Sequence, residues 1–509
     1  MAKTSKSGKS SRKAVSGGLM AIIVVIVLII AAFFIYISGL LPRTLTGVTI
    51  TETRADGTTG TIKNYSLLET NYRFQEVYNS YANYGMVSQE HLDEVYNEET
   101  GETYRDWLLK ETAKEMKTLA LVNRAAKDSG FLEYSKAREY AAWDTDTLDL
   151  YAQMYGFQNS QQYLEALYGK GMTKRNFVDY SASEILIQEY GTYIKQFDPA
   201  IVPTDDQIQA KFDEDPSQYA VATFNYFTIS AGTDANGNET SITDAIAAAK
   251  KIVSTAKDSA SFRQACLDYL KAKDSEASLE AFDNDADPTL YENYTAAQAS
   301  YLNADVKNFV FSEAKAGDAK VIETETAAYA VFVTESTIKE DKTVTFRTLT
   351  LNNETANDSE ATPEQIAQAA QDLAAEAATY CTAGMDAFSF YNVVKNHTSD
   401  RNELLTGGYN SGVTEDYFAE GTESDFNSTQ IECGKWLFEE GRKAGDIKIA
   451  ISEDNKTVYV YYFEGAMTSW QNSVKNDLIS ANFNTWNSNL ESGDPRYVVN
   501  AGLVQFFYK

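Results

Sequence analysis

Hydrophobic and polar positions divide the chain into stretches of different period. Leu19 to Ile37 is an unbroken apolar run of nineteen residues. At a rise of about 1.5 Å it would span about 28 Å, close to one bilayer core, so it predicts a transmembrane helix. Residues 43–65 alternate, turn at Ala55-Asp56-Gly57-Thr58 and alternate again, which predicts strand, turn and strand. From 66 to 197 the period is helical. Leu109, Ala113, Met116 and Ala120 share one face, as do Val178, Ala182, Ile185, Leu186, Tyr190 and Tyr193. Thr173, after the break at Gly169–Met172, is placed to cap a helix.

After Pro203 the pattern mixes strands and helices, and it recurs. A strand at 222–229, helices at 242–257 and 259–272 and a closing strand at 328–334 are followed by a strand at 344–351, an Ala-rich helix at 363–380 and a closing strand at 458–463. Lys315-Ala-Gly-Asp318 returns as Lys443-Ala-Gly-Asp446. A period of about 125 residues predicts two copies of one α+β domain. The tail reads as a helix over 467–491 with Trp470, Val474, Leu478, Phe483, Trp486 and Leu490 in its stripe, then a short strand over 496–507. Such a stripe needs a partner, and the N-terminal helical block is the expected one.

The expected fold class is therefore α+β multidomain with an N-terminal transmembrane helix. Its segments are a basic tail 1–18, a signal anchor 19–41, a helical domain 42–200, α+β copies 201–338 and 339–465, and a C-terminal helix and strand 466–509. Lys3, Lys6, Lys9, Arg12 and Lys13 precede the apolar run and only Arg43 follows it closely, so the positive-inside rule puts the bulk of the chain outside a cell membrane, single-pass. The run is longer than a signal-peptide core and Ile37-Ser38-Gly39-Leu40 is a poor cleavage site.

Charge and composition then remove whole function classes. A formal charge of −29 repels phosphate backbones, so nucleic acid is not an expected partner. Three Cys and two His leave little for metal or Cys/His chemistry, and no cofactor or metal is expected. Asp283-Asn-Asp-Ala-Asp287 starts like a calcium loop but has Pro288 and Tyr294 where Gly and Glu belong. His91, in a polar helix start, reads as solvent-facing. Cys381 and Cys433 share the second copy and are a candidate disulfide, though spacing alone leaves their pairing open. Tyr65, Tyr72, Tyr78, Tyr81 and Tyr84 either line a client groove or pack a helix core.

Three stretches carry a family resemblance. Tyr155-Gly156-Phe157, Tyr163-Leu164, Gly171-Met172-Thr173 and Phe177 form the first. Pro203-Thr204-Asp205-Asp206-Gln207-Ile208, running to Tyr219, forms the second. Phe388-Ser389-Phe390, Thr398-Ser399-Asp400, Gly407-Gly408 and Lys443–Asp446 form the third. In this order they resemble the SurA/PrsA class of extracytoplasmic foldases, a helical chaperone domain carrying parvulin-type peptidyl-prolyl isomerase domains. The resemblance implies a catalytic Asp400, with Asp274 as a loose counterpart in the first copy, and a proline pocket near Phe388, Phe390 and Phe418. The paired family histidines would fall at Tyr226 and about Tyr329 in the first copy, and at Thr348 and about Val458 in the second, so all four are missing. His397 reads either as a substitute proton relay beside Asp400 or, more plainly, as a surface histidine without a placed partner.

The expected function is a membrane-anchored foldase that binds unfolded, newly exported polypeptides with little isomerase activity. An active isomerase and a non-enzymatic scaffold for an envelope or secretion complex are the alternatives. The oligomeric state is not legible.

Overall fold

The computed structural model describes residues 38–233, 239–273, 287–419 and 426–507, with Val25, Val27, Leu28, Leu279, Ala281 and Phe282 besides. Among these residues no helix is long and apolar enough to cross a membrane. The longest described helices, Tyr104–Asp128 and Lys174–Phe197, carry charges throughout. The transmembrane helix in the expected fold class, and the single-pass placement that followed from it, therefore do not stand. Leu19–Ile37 itself lies outside the described residues apart from helical Val25, Val27 and Leu28. The architecture is α+β and falls into two compact units, residues up to Tyr193 with Thr485 onward, and Ile194–Asn484.

In the first unit β1 (Thr46–Thr53) and β2 (Thr59–Ser66) form the expected hairpin. Asp56 Oδ1 accepts from Thr58 N at 2.9 Å and Gly57 has φ +80°, a tight turn that suits an Asp-Gly pair. Ser66 then caps α1 (Leu67–Asn83) by accepting from Glu69 N. Helix α2 (Tyr104–Asp128) starts with a capping box between Thr103 and Asp106 and buries Ala113, Met116 and Ala120 against Val48, Ile50 and Tyr65 of the hairpin. The chain continues through α3 (Leu148–Met154), α4 (Ser160–Tyr168) and α5 (Lys174–Phe197), the last capped by Thr173, which accepts from Asn176 N. The tail strand Arg496–Val499 pairs antiparallel with β1 on the edge opposite β2, and Val504 after it is buried against α1 and α2 residues.

Glu69, Glu76, Glu115 and Glu184 gather around one cation inside this unit. Arg73 is fully buried, pairs with Glu184 at 2.6 Å and lies 5.0 Å from the Tyr72 ring. Burial pushes the carboxyls of Glu69, Glu76 and Glu115 above their ordinary value of 4.5, with Arg73 opposing the shift in each. A carboxyl with a raised pKa binds its proton more tightly folded than unfolded, so stability grows as pH falls through the folded value and levels off below 4.5. Hydrogen exchange of α1 amides should therefore slow between neutral pH and about pH 5, after correction for the intrinsic rate. A Glu76→Gln/Glu115→Gln variant should lose most of that dependence.

In the second unit α6 (Asp205–Glu214) carries a capping box between Thr204 and Gln207. Two α+β copies follow. The first runs β3 (Ala220–Ser230), α7 (Ile242–Thr255), α8 (Ser259–Ala272), β4 (Leu290–Thr295), β5 (Ala319–Glu323) and β6 (Ala327–Ile338). The second runs β7 (Lys342–Asn352), α9 (Pro363–Tyr380), α10 (Ala387–His397), α11 (Arg401–Thr406), β8 (Tyr409–Val413), α12 (Ser428–Phe438), β9 (Ile447–Ile451) and β10 (Thr457–Thr468). The sheets are antiparallel, with strand orders β4-β3-β6-β5 and β8-β7-β10-β9, one topology used twice.

The repeated tetrapeptides fold alike. Asp318 Oδ2 accepts from Lys315 N at 2.8 Å and Asp446 Oδ2 from Lys443 N at 3.0 Å. Gly317 N donates to Val333 O and Gly445 N to Phe463 O, with φ of +87° and +92°. Each turn thus registers a short edge strand on the closing strand. Alternation along the strands gives each sheet two apolar faces. Leu349, Leu351, Val458, Val460 and Tyr462 meet α9 and α10, while Val344, Phe346, Tyr461 and Phe463 meet Cys433, Trp436 and Leu437 of α12.

The tail helix Ser469–Asn489 departs from expectation. Trp470, Val474 and Leu478 pack on Ile208, Phe212, Tyr219 and Ile338 of the second unit rather than on the helical block. Further along, Lys195 Nζ lies 4.1 Å from the Phe483 ring and Trp486 lies 5.9 Å from Tyr190, so this end of the helix meets α5 as predicted. The tail segment expected as one strand is a strand, Arg496–Val499, followed by a helix, Ala501–Phe507.

Candidate polypeptide-binding sites

The residues singled out at the second copy do not converge. Asp400 is the N-cap of α11: its Oδ1 accepts from Glu403 N at 2.8 Å, while its own N–H donates to Thr398 Oγ1 at 2.9 Å. His397 is exposed at the end of α10 and stacks on Tyr380, with centroids 4.0 Å apart. Phe390 is fully buried against Tyr462 on the α9–α10 face, and Phe418 is buried against Phe346 on the α12 face. The sheet lies between them, so the expected pocket of Phe388, Phe390 and Phe418 is not formed. Phe388 instead meets Phe197 and Tyr391 edge-on and stacked, at 5.5 and 6.2 Å.

The same separation corrects the disulfide. Cys381 and Cys433 are both free and buried, in clusters on opposite faces of the sheet. Burial pushes their thiols up to about 12 and about 11.

The register also corrects one of the histidine positions. Tyr226 and Tyr329 stack at 5.8 Å on one face of the first sheet. Tyr329 pairs with Thr228, and its counterpart opposite Thr350 is Tyr459, not Val458. Val458 faces α9 and α10, the other side. Asp274 lies outside the described residues, as do Asp283, Asn284, Asp285 and Ala286. Asp287 takes part in a local turn, its Oδ1 accepting from Thr289 N at 2.9 Å.

Two buried polar centres were missed. Glu403 accepts from Thr350 N, Thr350 Oγ1 and Thr398 Oγ1 at 2.8, 2.8 and 2.6 Å. Burial raises its pKa although these bonds favour the charge. Arg347, 0 % exposed, pairs with Glu464 and sits 5.0 Å from both the Phe197 and Tyr409 rings. A charged residue in an alternating strand was the only signal for Arg347; nothing local marked Glu403.

The groove expected from the early tyrosines is mostly core. Tyr65 and Tyr72 are buried, Tyr78 and Tyr81 pack on the α1–α2 cluster, and of the five only Tyr84 stands in solvent, at 80 % exposure. An apolar surface does exist, on α3 and α4. Leu150, Tyr151, Met154 and Tyr155 are 58, 43, 67 and 65 % exposed. Their spacing puts them on one side of α3 and its first following residue. Tyr155 stacks on Tyr163 of α4 at 5.7 Å and 4°, and Leu167 one turn on is also exposed. Leu148 and Ala152, on the inner side of α3, are the buried ones. Solvated singly, such residues are ordinary; gathered on one short helix and its neighbour they mark an interaction surface.

No family model matches the chain, and no curated protein matches it.

Proposed function

We propose that this chain is a polypeptide-binding chaperone of the SurA/PrsA type that works without isomerase chemistry. The observation that carries the reading is the exposed aromatic and apolar surface of α3 and α4. Tyr and Met suit such binding, because Tyr offers rigid amphipathic area and Met adapts to different side chains. Weak, exchangeable burial on such a surface holds an unfolded segment without selecting one sequence. The repeated α+β topology of the second unit supports the family reading. The absence of isomerase chemistry is supported by four non-histidine positions and by Asp400, whose carboxylate is committed to a helix N-terminus.

The full chain should suppress aggregation of a chemically unfolded client, followed by light scattering. Leu150→Ser/Tyr151→Ser/Met154→Ser/Tyr155→Ser should remove most of that protection while costing about 2 kcal/mol, since each side chain is already about half in water, and retained exchange protection of α1 and α2 amides checks that the unit stays folded. Exchange NMR on Xaa-Pro peptides should show binding without faster isomerisation. Unchanged protection in the fourfold variant would overturn the reading. So would isomerisation that disappears with Asp400→Ala, a change that should otherwise cost only a helix cap, about 1 kcal/mol.

A further inference from the structure

A pocket of about 430 Å³ opens in the first unit between β2, α1, α2 and α5. That size suits a small molecule. Residues at helical spacing on α2 build one wall: Leu119 and Ala120 are buried, Asn123 and Arg124 are partly buried, and Lys127 is exposed. Tyr65 of β2 is buried with the first two and Ile62 packs on the same cluster, so the floor is apolar and the mouth is charged. Arg124 is committed to Glu52 at 2.7 Å. Lys63 and Lys127, which also line the pocket, make no ion pair among the described residues. Glu69 of α1 is partly buried, and its carboxylate accepts no hydrogen bond there, because Arg73 gives Nη1 to Glu184 and Nη2 to Tyr180 O. Burial pushes this carboxyl up, with Arg73 and Lys63 opposing through space. Asn123 donates Nδ2 to Leu119 O and Ser183 O at 2.8 and 3.0 Å, which leaves Oδ1 as its acceptor end. One pocket thus gathers acceptors short of a donor, ammonium groups short of an acid, and an apolar floor.

We propose that this pocket binds a zwitterionic small molecule, an α-amino acid or dipeptide with an apolar side chain. The inference goes beyond the chaperone reading and does not rest on it. The ligand's ammonium bonds the Glu69 carboxylate and Asn123 Oδ1. Its carboxylate takes Lys63 and Lys127, and its side chain covers Ile62, Tyr65, Leu119 and Ala120. A partly buried carboxylate without a donor carries a desolvation cost, and a ligand ammonium relieves it with charge-assisted bonds. Singly charged molecules fit less well. An anion brings like charge to Glu69, and an amine brings like charge to Lys63 and Lys127, so the pocket selects for both charges on one molecule.

The test is calorimetric titration of the full chain with leucine and alanyl-leucine. Two analogues serve beside them: 4-methylpentanoate, which lacks the ammonium, and 3-methylbutylamine, which lacks the carboxylate. At least one zwitterion should bind about tenfold more tightly than either analogue, the worth of one charge-assisted contact. Glu69→Gln should erase the advantage over 4-methylpentanoate while that acid binds no worse. Lys63→Met/Lys127→Met should erase the advantage over 3-methylbutylamine while the amine binds no worse. Both variants remove charge and keep the side chain's length, and exchange protection of α1 and α2 amides checks that they fold. Zwitterions that do not bind, or bind no better than the analogues, overturn the inference, as does an advantage that survives both variants. Client protection is read at α3 and is expected to be unchanged in both, so the chaperone reading stands or falls separately.

Discussion

Replacing Arg347 with alanine is expected to destabilise the 194–484 unit by about 3–5 kcal/mol, the cost of breaking a buried ion pair from one side. The guanidinium is fully buried at the middle of β7. Nε lies 2.9 Å from Glu464 Oε2, an ion pair not aligned as a hydrogen bond, and Nη1 donates to Gln196 Oε1 at 2.8 Å and to Gly407 O at 3.2 Å. Phe197, Tyr391 and Tyr409 surround the cation at 5.0, 5.9 and 5.0 Å. Burial pulls its pKa down and Glu464 pulls it back, so the charge is held by its neighbours. Alanine would leave the Glu464 carboxylate and the Gly407 carbonyl short of a donor and open a void among three rings. Native-state hydrogen exchange of β7 and β10 amides reads this unit by itself, which a melting curve of a two-unit chain does not. Arg347→Met with Glu464→Gln should recover much of the loss, because a buried pair replaced together need not cost what a broken pair costs. A single variant that loses less than about 1 kcal/mol would show that neither the charge network nor the cation among the rings holds this strand.

Truncation after Leu490 should unfold much of the first unit, at a cost of about 3–5 kcal/mol from lost apolar burial and ladder bonds. The tail strand is the outer neighbour of β1, pairing Val499, Val498, Tyr497 and Arg496 with Val48, Thr49, Ile50 and Thr51. Tyr497 and Val499 cover the cluster of Val48, Ile50, Ala113 and Met116, and Val504 is buried beside Leu67 and Leu108. The truncated chain would expose a β1 edge and two apolar clusters, so it should aggregate and lose exchange protection at β1 and α2 while β3 and β7 stay protected. A truncated chain with β1 protection intact would show that the hairpin and helices are sufficient without the tail.

Much of the local architecture was legible in the sequence. The hairpin at 46–66, the buried faces of α2 and α5, the cap at Thr173 and the two α+β copies follow from period, turn residues and repeated order. The Lys-Ala-Gly-Asp match extends to three dimensions because the turn is a local device, set by an Asp side chain accepting from a backbone N–H three residues earlier and a glycine at positive φ. Such features depend on neighbours within a few residues, which the sequence displays.

The candidate site was decided by tertiary structure. Sequence order groups Phe388, Phe390 and Phe418 with Asp400, yet Phe390 and Phe418 belong to helical segments packed on opposite faces of the sheet, which parts Cys381 from Cys433 in the same way. Val458 and Tyr459 differ by one position and so face opposite sides, a distinction that only register resolves. Glu403 and Arg347 gained their surroundings from partners far along the chain, Thr350 for one and Gln196 and Glu464 for the other. The tail stripe declared that it must be buried, and the fold chose where. Trp470 and Val474 found Ile208 and Tyr219, while the strand beyond them found β1. Periodicity fixes which side of an element is apolar; the identity of the surface that covers it is settled when distant segments compete to exclude the same water.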